Sequence, residues 1–421
     1  MSEKIKIHSD KYQETAFDRA KLISWWSQDV VSSGKILVAG AGATGNETLK
    51  NLALMGFGNI FICDMDEISV SNLSRTVLFD VNDVGKLKAE VAAQRVKAMS
   101  NNPDCKVDYF SGDIVNGLGH GVFRRFDVIL GCLDNILTRL NVNRRCCLFQ
   151  KPYIDAGISE LGLTLSVHHY PESSCYECGT NTESIARERK IRYSCDVFKQ
   201  RAIREKHAAT VLISAAIVSA LQVQEAVKIL HAQNNIALEV PAEFGKKYYY
   251  QGTNHTFERF SVPSKSNCPA HFSINSEDII ETELSSRNTL HEALEFLREK
   301  FGFECVIDTY PDSFFVTEAR CINCGRKITV NKPMFEIFSD EFYCDECRGA
   351  GMSGYTPEYN YVNLFSGDML EKHLLDYTLE QIGIPPLHVI TVREKNNSEN
   401  LKYIELTADL KRVLPNIYGL S

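Results

Sequence analysis

Short apolar runs alternate with amphipathic stretches along residues 35–155, which is the pattern of a sheet whose strands are connected by helices. The first cycle is an apolar strand from Lys35 to Ala39, a helix pattern from Asn46 to Met55 and a second strand from Asn59 to Asp64. The glycine-rich stretch GAGATG separates the first strand from the helix. This order predicts one βαβ unit of a parallel, doubly wound sheet. Further strands are predicted at 107–110, 127–132 and 153–155, and further helices at 86–99 and 135–149.

The pattern changes beyond residue 160. Residues 161–170 and 246–260 are predicted as antiparallel strands, with an apolar helix at 210–230 between them. The longest strongly apolar run, Val211 to Leu221, is far shorter than the roughly 20 residues of a membrane span, so we expect a buried helix and no membrane segment. Residues 8–33 predict an amphipathic helix anchored by Trp25 and Trp26. The predicted fold of residues 1–274 is Rossmann-like α/β, a mostly parallel sheet with an antiparallel extension.

A second, smaller α+β domain is predicted at 275–421. Thr289 and Glu292 have the spacing of a capping box, and the following helix carries four apolar residues on one face, Leu290, Leu294, Leu297 and Phe301. A later helix is predicted to end at Gly383. The alternating stretches HVITV and KYIEL predict a hairpin near the end of the chain.

Composition restricts the class of protein. The chain has 421 residues, of which 44% are hydrophobic and 24% charged, as in a soluble protein of two or three domains. The net charge of −8 argues against a general nucleic-acid binder, which would normally present a basic face. The start, MSEKIKIHSDKYQE, has no signal-peptide pattern, and 14 cysteines then indicate a reducing compartment, in which clustered cysteines bind metal or do chemistry. We therefore expect a cytoplasmic protein.

The GAGATG loop predicts a nucleotide site. Gly40, Gly42 and Gly45 form a G-x-G-x-x-G pattern between a strand and a helix, and Ala43 stands at the turn into the helix. Such a loop lets the backbone approach a phosphate at the positive end of the helix. Asp64, nineteen residues after the last glycine, is placed to accept hydrogen bonds from a ribose hydroxyl. The loop lacks the G-K-[ST] ending of a P-loop, which excludes that class.

Polar residues around this loop distinguish two uses of a nucleotide. Asn72 and Arg75 follow the second strand, Lys88 begins the next helix, and Asp134 and Asn135 follow a strand at the carboxyl edge of the sheet. Hydride transfer does not need such a set, whereas attack on a nucleoside triphosphate needs cations for the phosphates and a carboxylate for magnesium. A single Arg or Lys is more often a solvated surface charge; the set together favours triphosphate chemistry.

The motifs GAGATG, CDMD, SNLSR, GKLKAE, CLDNILTR, CYEC and QVQEAVKIL occur in this order, and with them the chain resembles the ThiF/MoeB/HesA family, the bacterial relatives of ubiquitin-activating enzymes. The resemblance covers roughly residues 15–272. It implies an enzyme that binds ATP and Mg²⁺ and adenylates the C-terminal carboxylate of a ubiquitin-like or sulfur-carrier β-grasp protein. A homodimer and a downstream conjugating or sulfur-transfer protein are further implications, and no nucleic-acid partner is expected.

The resemblance also assigns roles to residues. Asp64 would contact the ribose, the phosphates would be contacted by Asn72, Arg75 and Lys88, and Asp134 would coordinate magnesium. Arg19 resembles the arginine that family dimers lend to the partner's ATP, although Ala20 stands where the family has Gln. Arg139 matches a family arginine too, with a helix-surface ion pair as the alternative.

Two cysteine clusters predict two structural zinc sites. Cys175 and Cys178 (CYEC) with Cys268 and His271 (CPAH) are four ligands of the kind that tetrahedral zinc takes, and the family usually has a fourth cysteine in place of the histidine. The second cluster is C-x-x-C, nineteen residues, C-x-x-C, the spacing of a zinc ribbon at 321–347; its ligands are Cys321, Cys324, Cys344 and Cys347. Its acidic neighbours favour stabilisation or a protein partner over nucleic acid; they are Glu336, Asp340, Glu341, Asp345 and Glu346.

Cys195 is the candidate nucleophile. It lies in a predicted crossing loop at about 179–210, with eight Lys and Arg against four acids between Gly179 and Thr210. Positive surroundings stabilise a thiolate, and family members that form a thioester place a small polar residue and then Cys in this loop, as Ser194 and Cys195 stand here. The alternative is a loop cysteine without a role. Four other cysteines are predicted to be core residues, Cys63, Cys132, Cys146 and Cys147.

Three functions therefore remain open from the sequence. The preferred one is activation of a carrier protein, with thioester formation on Cys195. The second is adenylation of a peptide or RNA without a cysteine intermediate. The third is a non-catalytic scaffold that binds NAD or ATP and recruits partners through the zinc ribbon.

Overall fold

The structure is a computed structural model that describes residues 14–181, 183, 211–311, 313–337, 342–347 and 358–419. The helices of the described residues are α1 Gln28–Ser33, α2 Ala43–Met55, α3 Lys88–Met99, α4 Gly121–Arg124, α5 Ile136–Leu148, α6 Leu212–Gln233, α7 Leu290–Phe301 and α8 Leu410–Val413. The strands up to residue 261 are β1 Lys35–Ala39, β2 Asn59–Cys63, β3 Lys106–Phe110, β4 Val128–Gly131, β5 Tyr153–Ile158, β6 Gly162–His168, β7 Lys246–Gln251 and β8 Thr256–Ser261. The later strands are β9 Ile279–Thr282, β10 Cys305–Asp308, β11 Phe315–Arg320, β12 Lys327–Pro333, β13 Tyr359–Val362, β14 Leu364–Phe365, β15 Val389–Glu394 and β16 Asn397–Leu406.

An eight-stranded sheet organises the first two thirds of the chain, in the order β3-β2-β1-β4-β5-β6-β7-β8. The strands from β3 to β5 pair in parallel, and β6, β7 and β8 continue the sheet as antiparallel strands. The predicted α/β fold, a mostly parallel sheet with an antiparallel extension, is confirmed. Ala39 at the end of β1 is level with Cys63 of β2 on one side and with Gly131 of β4 on the other. The loops that follow these three strands therefore emerge side by side.

The apolar strands are buried on both faces because helices cover both sides of the sheet. Ile36 and Val38 of β1 pack into a core with residues of α1, α2, α3 and α6. Leu37 and Ala39 point the other way, into a core with residues of α4 and α5. Successive residues of a strand face opposite sides, so a continuous apolar run is what a central parallel strand requires.

Helix α6 is long and apolar enough to span a membrane by those two criteria alone, and here it packs inside the domain. Gln222 is fully buried, and its side-chain amide donates to Gly131 O (3.1 Å) and Ile154 O (2.8 Å). Ser219 donates to Thr44 O (2.8 Å) at the first turn of α2. The polar side chains of α6 thus fasten it to the sheet and to α2. The prediction of a buried helix is confirmed for the later part of α6 and is wrong for its start, where Leu212, Ile213 and Ile217 are exposed.

The prediction of one helix over 8–33 is wrong in the part that the structure describes, which begins at residue 14. A 3₁₀ turn at Ala20–Leu22 and the short helix α1 are separated by extended backbone at Ser27, whose side chain accepts from Val30 N and caps α1. Trp25 and Trp26 pack around the ring of His231 on α6, with centroids 5.4 and 5.7 Å away. The tryptophans are anchors, as predicted, but they are only half-buried, and they anchor a bend and not a continuous helix.

The C-terminal part contains a five-stranded sheet in the order β14-β10-β15-β16-β9 and a three-stranded sheet in the order β12-β11-β13. The predicted hairpin corresponds to the antiparallel pair β15 and β16, and the capping box of α7 forms as predicted, with Thr289 N donating to Glu292 (3.0 Å) and Glu292 N donating back to Thr289 (3.2 Å). The prediction of a helix that ends at Gly383 is wrong. Lys372–Asp376 is a 3₁₀ helix, and the next backbone pairs with the start of α7, since Leu290 N donates to Tyr377 O (2.8 Å). Backbone groups used in that pairing are not free to continue a helix.

The two parts of the chain are packed together. Phe123 of α4 lies in the same apolar cluster as Leu387, Leu414 and Ile417 from the C-terminal part. Arg124 and Arg125 form ion pairs with the fully buried Glu405 of β16. The boundary at 274/275 stays a prediction.

Candidate functional site

The glycine loop leaves β1 in a conformation that requires glycine. Gly40 has φ +99°, and a Cβ on it would lie 2.4 Å from Cys132 O. A Cβ on Gly45 would lie 2.0 Å from Gly40 O, so helix α2 packs directly on the loop. At Gly42, by contrast, an added Cβ would meet nothing within 4 Å. The loop is therefore closely packed at Gly40 and Gly45 and open at Gly42, directly before the helix begins at Ala43.

Asn46 holds the loop from inside the helix. Its side chain is fully buried, and it donates to Ala41 O (2.7 Å) and Gly42 O (3.2 Å). Its oxygen accepts from Leu78 N (2.9 Å), which ties the segment after the SNLSR motif to the loop. Asn46 was not among the predicted site residues, although a polar side chain on the buried face of α2 was an available signal.

Asp64 follows β2 and spans from the glycine loop to the next turn. One carboxylate oxygen accepts from Ala41 N (2.6 Å) and the other accepts from Asp66 N (2.9 Å). Burial raises the pKa of the Asp64 carboxyl from its ordinary value, and the positive charge of Lys88 acts in the opposite direction. Asp64 thus already has a role in fixing the loop, in addition to the ribose contact that was predicted for it.

Lys88 opens α3 as predicted, and its amine forms an ion pair with Asp66 (Nζ to Oδ2, 2.7 Å). The lysine side chain is 9% exposed and the aspartate is 59% exposed. The Lys88 amine is therefore largely buried and is held by the exposed carboxylate of Asp66, two residues after Asp64.

Asn72 and Arg75 lie on the loop after β2, and both are half-buried. The Asn72 side chain accepts from Ser69 N (2.9 Å), and the Arg75 guanidinium donates to Ser71 O (3.3 Å). These contacts are internal to the loop and shape it. Contact of either side chain with phosphate stays a prediction.

Asp134 and Asn135 follow β4 at the same edge of the sheet as the glycine loop. Asp134 is exposed, and no residue in the described ranges makes a hydrogen bond or an ion pair with its carboxylate. The Asn135 side chain accepts from Thr138 N (2.8 Å) and caps α5. Its predicted contact with nucleotide is untested, and the cap accounts for an asparagine at this position.

Arg139 fixes the loop that carries Asp134. Its guanidinium forms an ion pair with Asp155 and donates to Leu133 O and to Ala156 O (3.1 Å). Tyr153 donates its hydroxyl to the same aspartate (2.8 Å), and burial raises the pKa of the Asp155 carboxyl. The alternative of a helix-surface ion pair for Arg139 is wrong, because only 13% of its side chain is exposed and only 3% of that of Asp155.

Arg19 lies apart from these residues in the sequence and directly precedes the 3₁₀ turn at Ala20–Leu22 with an exposed side chain. Its contribution to a partner's site is untested. Cys195 lies outside the described residues, as does most of the predicted crossing loop, of which only 179–181 and 183 are described. The four core cysteines are buried as predicted; they are Cys63, Cys132, Cys146 and Cys147.

The first cysteine cluster comes together as predicted. The ligand atoms of Cys175, Cys178, Cys268 and His271 all lie within 4.8 Å of one another. Cys175 Sγ lies 3.8 Å from Cys178 Sγ and 3.7 Å from Cys268 Sγ, near the edge of about 3.8 Å that a Zn–S bond of about 2.3 Å gives in a tetrahedron. A hydrogen bond from the Cys147 thiol lowers the pKa of Cys175 from its ordinary value.

The second cluster has the same compactness. The sulfur atoms of Cys321, Cys324, Cys344 and Cys347 also lie within 4.8 Å of one another, with Cys324 and Cys344 at 3.7 Å. A backbone hydrogen bond from Cys344 N lowers the pKa of Cys321 to about 6. Two potential metal sites are thus present; Asp340 and Glu341, two of the acids expected beside the second, lie outside the described residues.

A separate open cavity of about 750 Å³ lies on the three-stranded sheet, lined among others by Glu318, Tyr361, Glu371 and His373. No lysine or arginine is among its described lining residues. The Glu318 carboxylate is already bound by Lys327 (3.1 Å) and by an amide. The described lining of this cavity thus has none of the cations that a triphosphate requires, whereas Lys88 lies beside the turn that Asp64 joins to the glycine loop.

Comparison with known proteins agrees with this assignment. The model of the ThiF family matches residues 16–270, more than half of the chain. SUMO-activating enzyme subunit 2 of Dictyostelium discoideum is 39% identical over 151 residues, 36% of this chain and 22% of that protein. The sulfur carrier protein adenylyltransferase of Thermus thermophilus is 31% identical over 156 residues, 36% of this chain and 57% of that protein.

The chain thus spans less than two thirds of each of these relatives. Among solved structures, E. coli MccB crystallised with succinimide shares the fold, with a TM-score of 0.50 and 21% identity over 62% of this chain and 75% of that chain. The resemblance drawn from the motifs is confirmed by the match over 16–270. The chain belongs to the ThiF family.

Proposed function

We propose that this protein activates the C-terminal carboxylate of a ubiquitin-like or sulfur-carrier protein by transferring AMP to it from ATP. One observation carries the proposal: the fixed glycine loop, the turn of Asp64 and Asp66 and the exposed carboxylate of Asp134 follow neighbouring parallel strands at one edge of the sheet, and Lys88 is paired to Asp66 of that turn. The names of the relatives, a SUMO-activating enzyme subunit and a sulfur carrier protein adenylyltransferase, support the same class of substrate.

In the proposed step, a carboxylate oxygen of the carrier attacks the α-phosphorus of ATP. The bond from that phosphorus to the bridging oxygen of the β-phosphate breaks, and pyrophosphate leaves with the electron pair. The open backbone at Gly42 and the N-terminus of α2 face anionic oxygens, and Arg75 and Lys88 neutralise charge on the phosphates. Asn72 donates its amide to the same oxygens, and Asp64 accepts from a ribose hydroxyl.

Asp134 would hold a magnesium ion. A carboxylate oxygen is a ligand that magnesium prefers, and this one has no partner among the described residues. The ion supplies charge neutralisation for the leaving pyrophosphate. Arg139 supports the site indirectly, because it holds the carbonyl of the residue before Asp134.

Cys195 would then take the acyl group. The thiolate attacks the carbonyl carbon of the acyl-adenylate, AMP leaves, and a thioester to Cys195 forms. The excess of Lys and Arg in the surrounding sequence supports a thiolate at this position.

Both cysteine clusters would bind structural zinc. Each offers four ligand atoms within 4.8 Å of one another, and four protein ligands leave no open position for catalysis. We also propose a cytoplasmic homodimer in which Arg19 reaches the partner's ATP, and residues 275–421 as a domain that recruits the carrier or a downstream transfer protein.

The test is carrier-dependent exchange of radiolabelled pyrophosphate into ATP. We expect exchange with a β-grasp carrier, and a loss of roughly 100-fold or more in Asp134→Ala, since a group that stabilises transition-state charge contributes about that much. Glu243→Gln, which breaks an exposed ion pair with Arg259, is the matched control and should leave exchange unchanged. Absence of exchange with every carrier, or full exchange in Asp134→Ala, rejects the proposal. If Cys195→Ala turns over a peptide substrate at the wild-type rate, adenylation without a cysteine intermediate is favoured.

A further inference from the structure

Two motifs that are about twenty residues apart in the sequence are joined in the fold as a short antiparallel ribbon. Ile68 N donates to Lys86 O (2.8 Å), Gly85 N donates to Ile68 O (2.8 Å), and Glu67 forms a bridge with Leu87. The ribbon brings the start of α3 back to the end of β2. The CDMD and GKLK motifs are therefore one structural unit.

Asp66 is the residue at which this ribbon meets the glycine loop. Its backbone N–H donates to Asp64 Oδ1 (2.9 Å), and its carbonyl accepts from Lys88 N (2.9 Å). Its side chain accepts from Lys88 Nζ (2.7 Å). Asp64 in turn accepts from Ala41 N (2.6 Å), so a continuous series of hydrogen bonds runs from the loop to the lysine amine.

The exposed fractions of the Lys88 and Asp66 side chains indicate which of the two depends on the ion pair. The Lys88 side chain is 9% exposed, so its ammonium needs a partner, and Asp66 is the partner that the structure gives it. Asp66 is 59% exposed and needs no partner for its own solvation. An ammonium has three donors, and one of them is used by Asp66. No other described residue accepts from the Lys88 amine, so the other two donors remain for a ligand.

We propose that Asp66 is a positioning residue for the adenylation reaction: it holds the Lys88 amine in place for the phosphates of ATP. This inference rests on the proposed function for its catalytic meaning. Its structural part, that Asp66 restrains and shields Lys88, holds independently of the reaction. A lysine that has to be ordered at each turnover stabilises the transition state less than one already in place.

The first experiment measures the reactivity of Lys88 in the full-length protein without ATP. The protein is treated briefly with an acetylating N-hydroxysuccinimide ester, and modification at each lysine is quantified by peptide mass spectrometry. Asp66→Ala is expected to raise modification of Lys88 about tenfold. Lys228, which pairs with the buried Glu225, is the internal reference and should not change. Unchanged reactivity of Lys88 in Asp66→Ala overturns the proposal.

The second experiment separates positioning from a general structural role by a double-mutant cycle in pyrophosphate exchange. Asp66→Ala should lower kcat by roughly 10- to 100-fold, the range that misplacement of a reacting group produces, with a smaller change in KM for ATP. Asp66→Glu should restore part of kcat. In a Lys88→Met background, Asp66→Ala should lower kcat by less than about a further twofold, because the effect of Asp66 passes through the lysine.

An effect of Asp66→Ala that is as large in the Lys88→Met background as in the wild type overturns the positioning role. If the wild type shows no exchange with any carrier, the proposed function fails, and the labelling experiment still decides whether Asp66 restrains Lys88. The two failures are therefore distinguishable.

Discussion

Replacing Arg139 by methionine should destabilise the protein severely. The change removes the ion pair to Asp155 and the hydrogen bonds to Leu133 O and Ala156 O, and it leaves Asp155 buried without its countercharge. Breaking a buried pair by removing one partner costs about 3–5 kcal/mol, whereas an exposed pair contributes about 0–1 kcal/mol. Exposures of 13% and 3% for the two side chains place this pair in the first class.

The assay is urea unfolding followed by tryptophan fluorescence, since Trp25 and Trp26 pack on α6 of the same domain. Arg139→Met should lower the free energy of unfolding by about 3–5 kcal/mol at an unchanged slope with urea. Arg259→Met, which breaks an exposed ion pair with Glu243, is the matched control and should lose less than about 1 kcal/mol.

A double variant tests the reason for the loss. Replacing Asp155 by leucine together with Arg139→Met removes both charges, and the loss should then be smaller than in the single variant, because no unpaired charge stays buried. The reasoning is refuted if Arg139→Met lowers the free energy of unfolding no more than Arg259→Met does. It is also refuted if the double variant with Asp155→Leu is less stable than Arg139→Met alone.

Three further predictions concern the loop, the metals and acid. Asn46→Ala should lower the free energy of unfolding by about 1–3 kcal/mol in urea and weaken ATP binding in calorimetry, because Leu78 N loses its acceptor. Elemental analysis should find two zinc ions per chain, and Cys268→Ser should lose one while His271→Cys keeps both. Burial opposes ionisation of Asp83, but hydrogen bonds from Lys86 and Arg95 lower its pKa to about 2. The contribution of Asp83 to stability is therefore lost as pH falls from about 5 towards 2. Unfolding measured over that pH interval should show a smaller loss of stability in Asp83→Asn than in the wild type.

The fold of the first part could be predicted because its signals are local. A buried parallel strand needs an apolar run, and the loop after it needs glycine where φ is positive, as at Gly40. Both requirements are visible in consecutive residues. The cysteine clusters were predictable as well, because each half is a short knuckle whose spacing follows from metal geometry.

The errors arose where contacts with residues distant in the sequence decide the structure. The helix predicted to end at Gly383 does not form because Tyr377 pairs with the start of α7, about ninety residues earlier in the chain. The helix over 8–33 breaks at Ser27, whose N–H donates to His231 Nε2 (3.0 Å) on α6. No local pattern announces such a contact.

The supporting polar residues of the site were missed for a related reason. Asn46, Gln222 and Asp66 each act through hydrogen bonds to residues far along the chain, and none has a spacing that marks a ligand. The side chains expected to touch the nucleotide could be named from the sequence. The side chains that hold them and the loop in place could not.

The most direct test of triphosphate chemistry is the mass of the carrier after reaction. A β-grasp carrier is incubated with the wild-type protein, ATP, Mg²⁺ and pyrophosphatase, quenched in acid and analysed intact. We predict a carrier that is heavier by one AMP, and far less of it in the same reaction time when Lys88→Met replaces the wild type. An unmodified carrier in every reaction, with tighter binding of NAD than of ATP by the same protein, would contradict it.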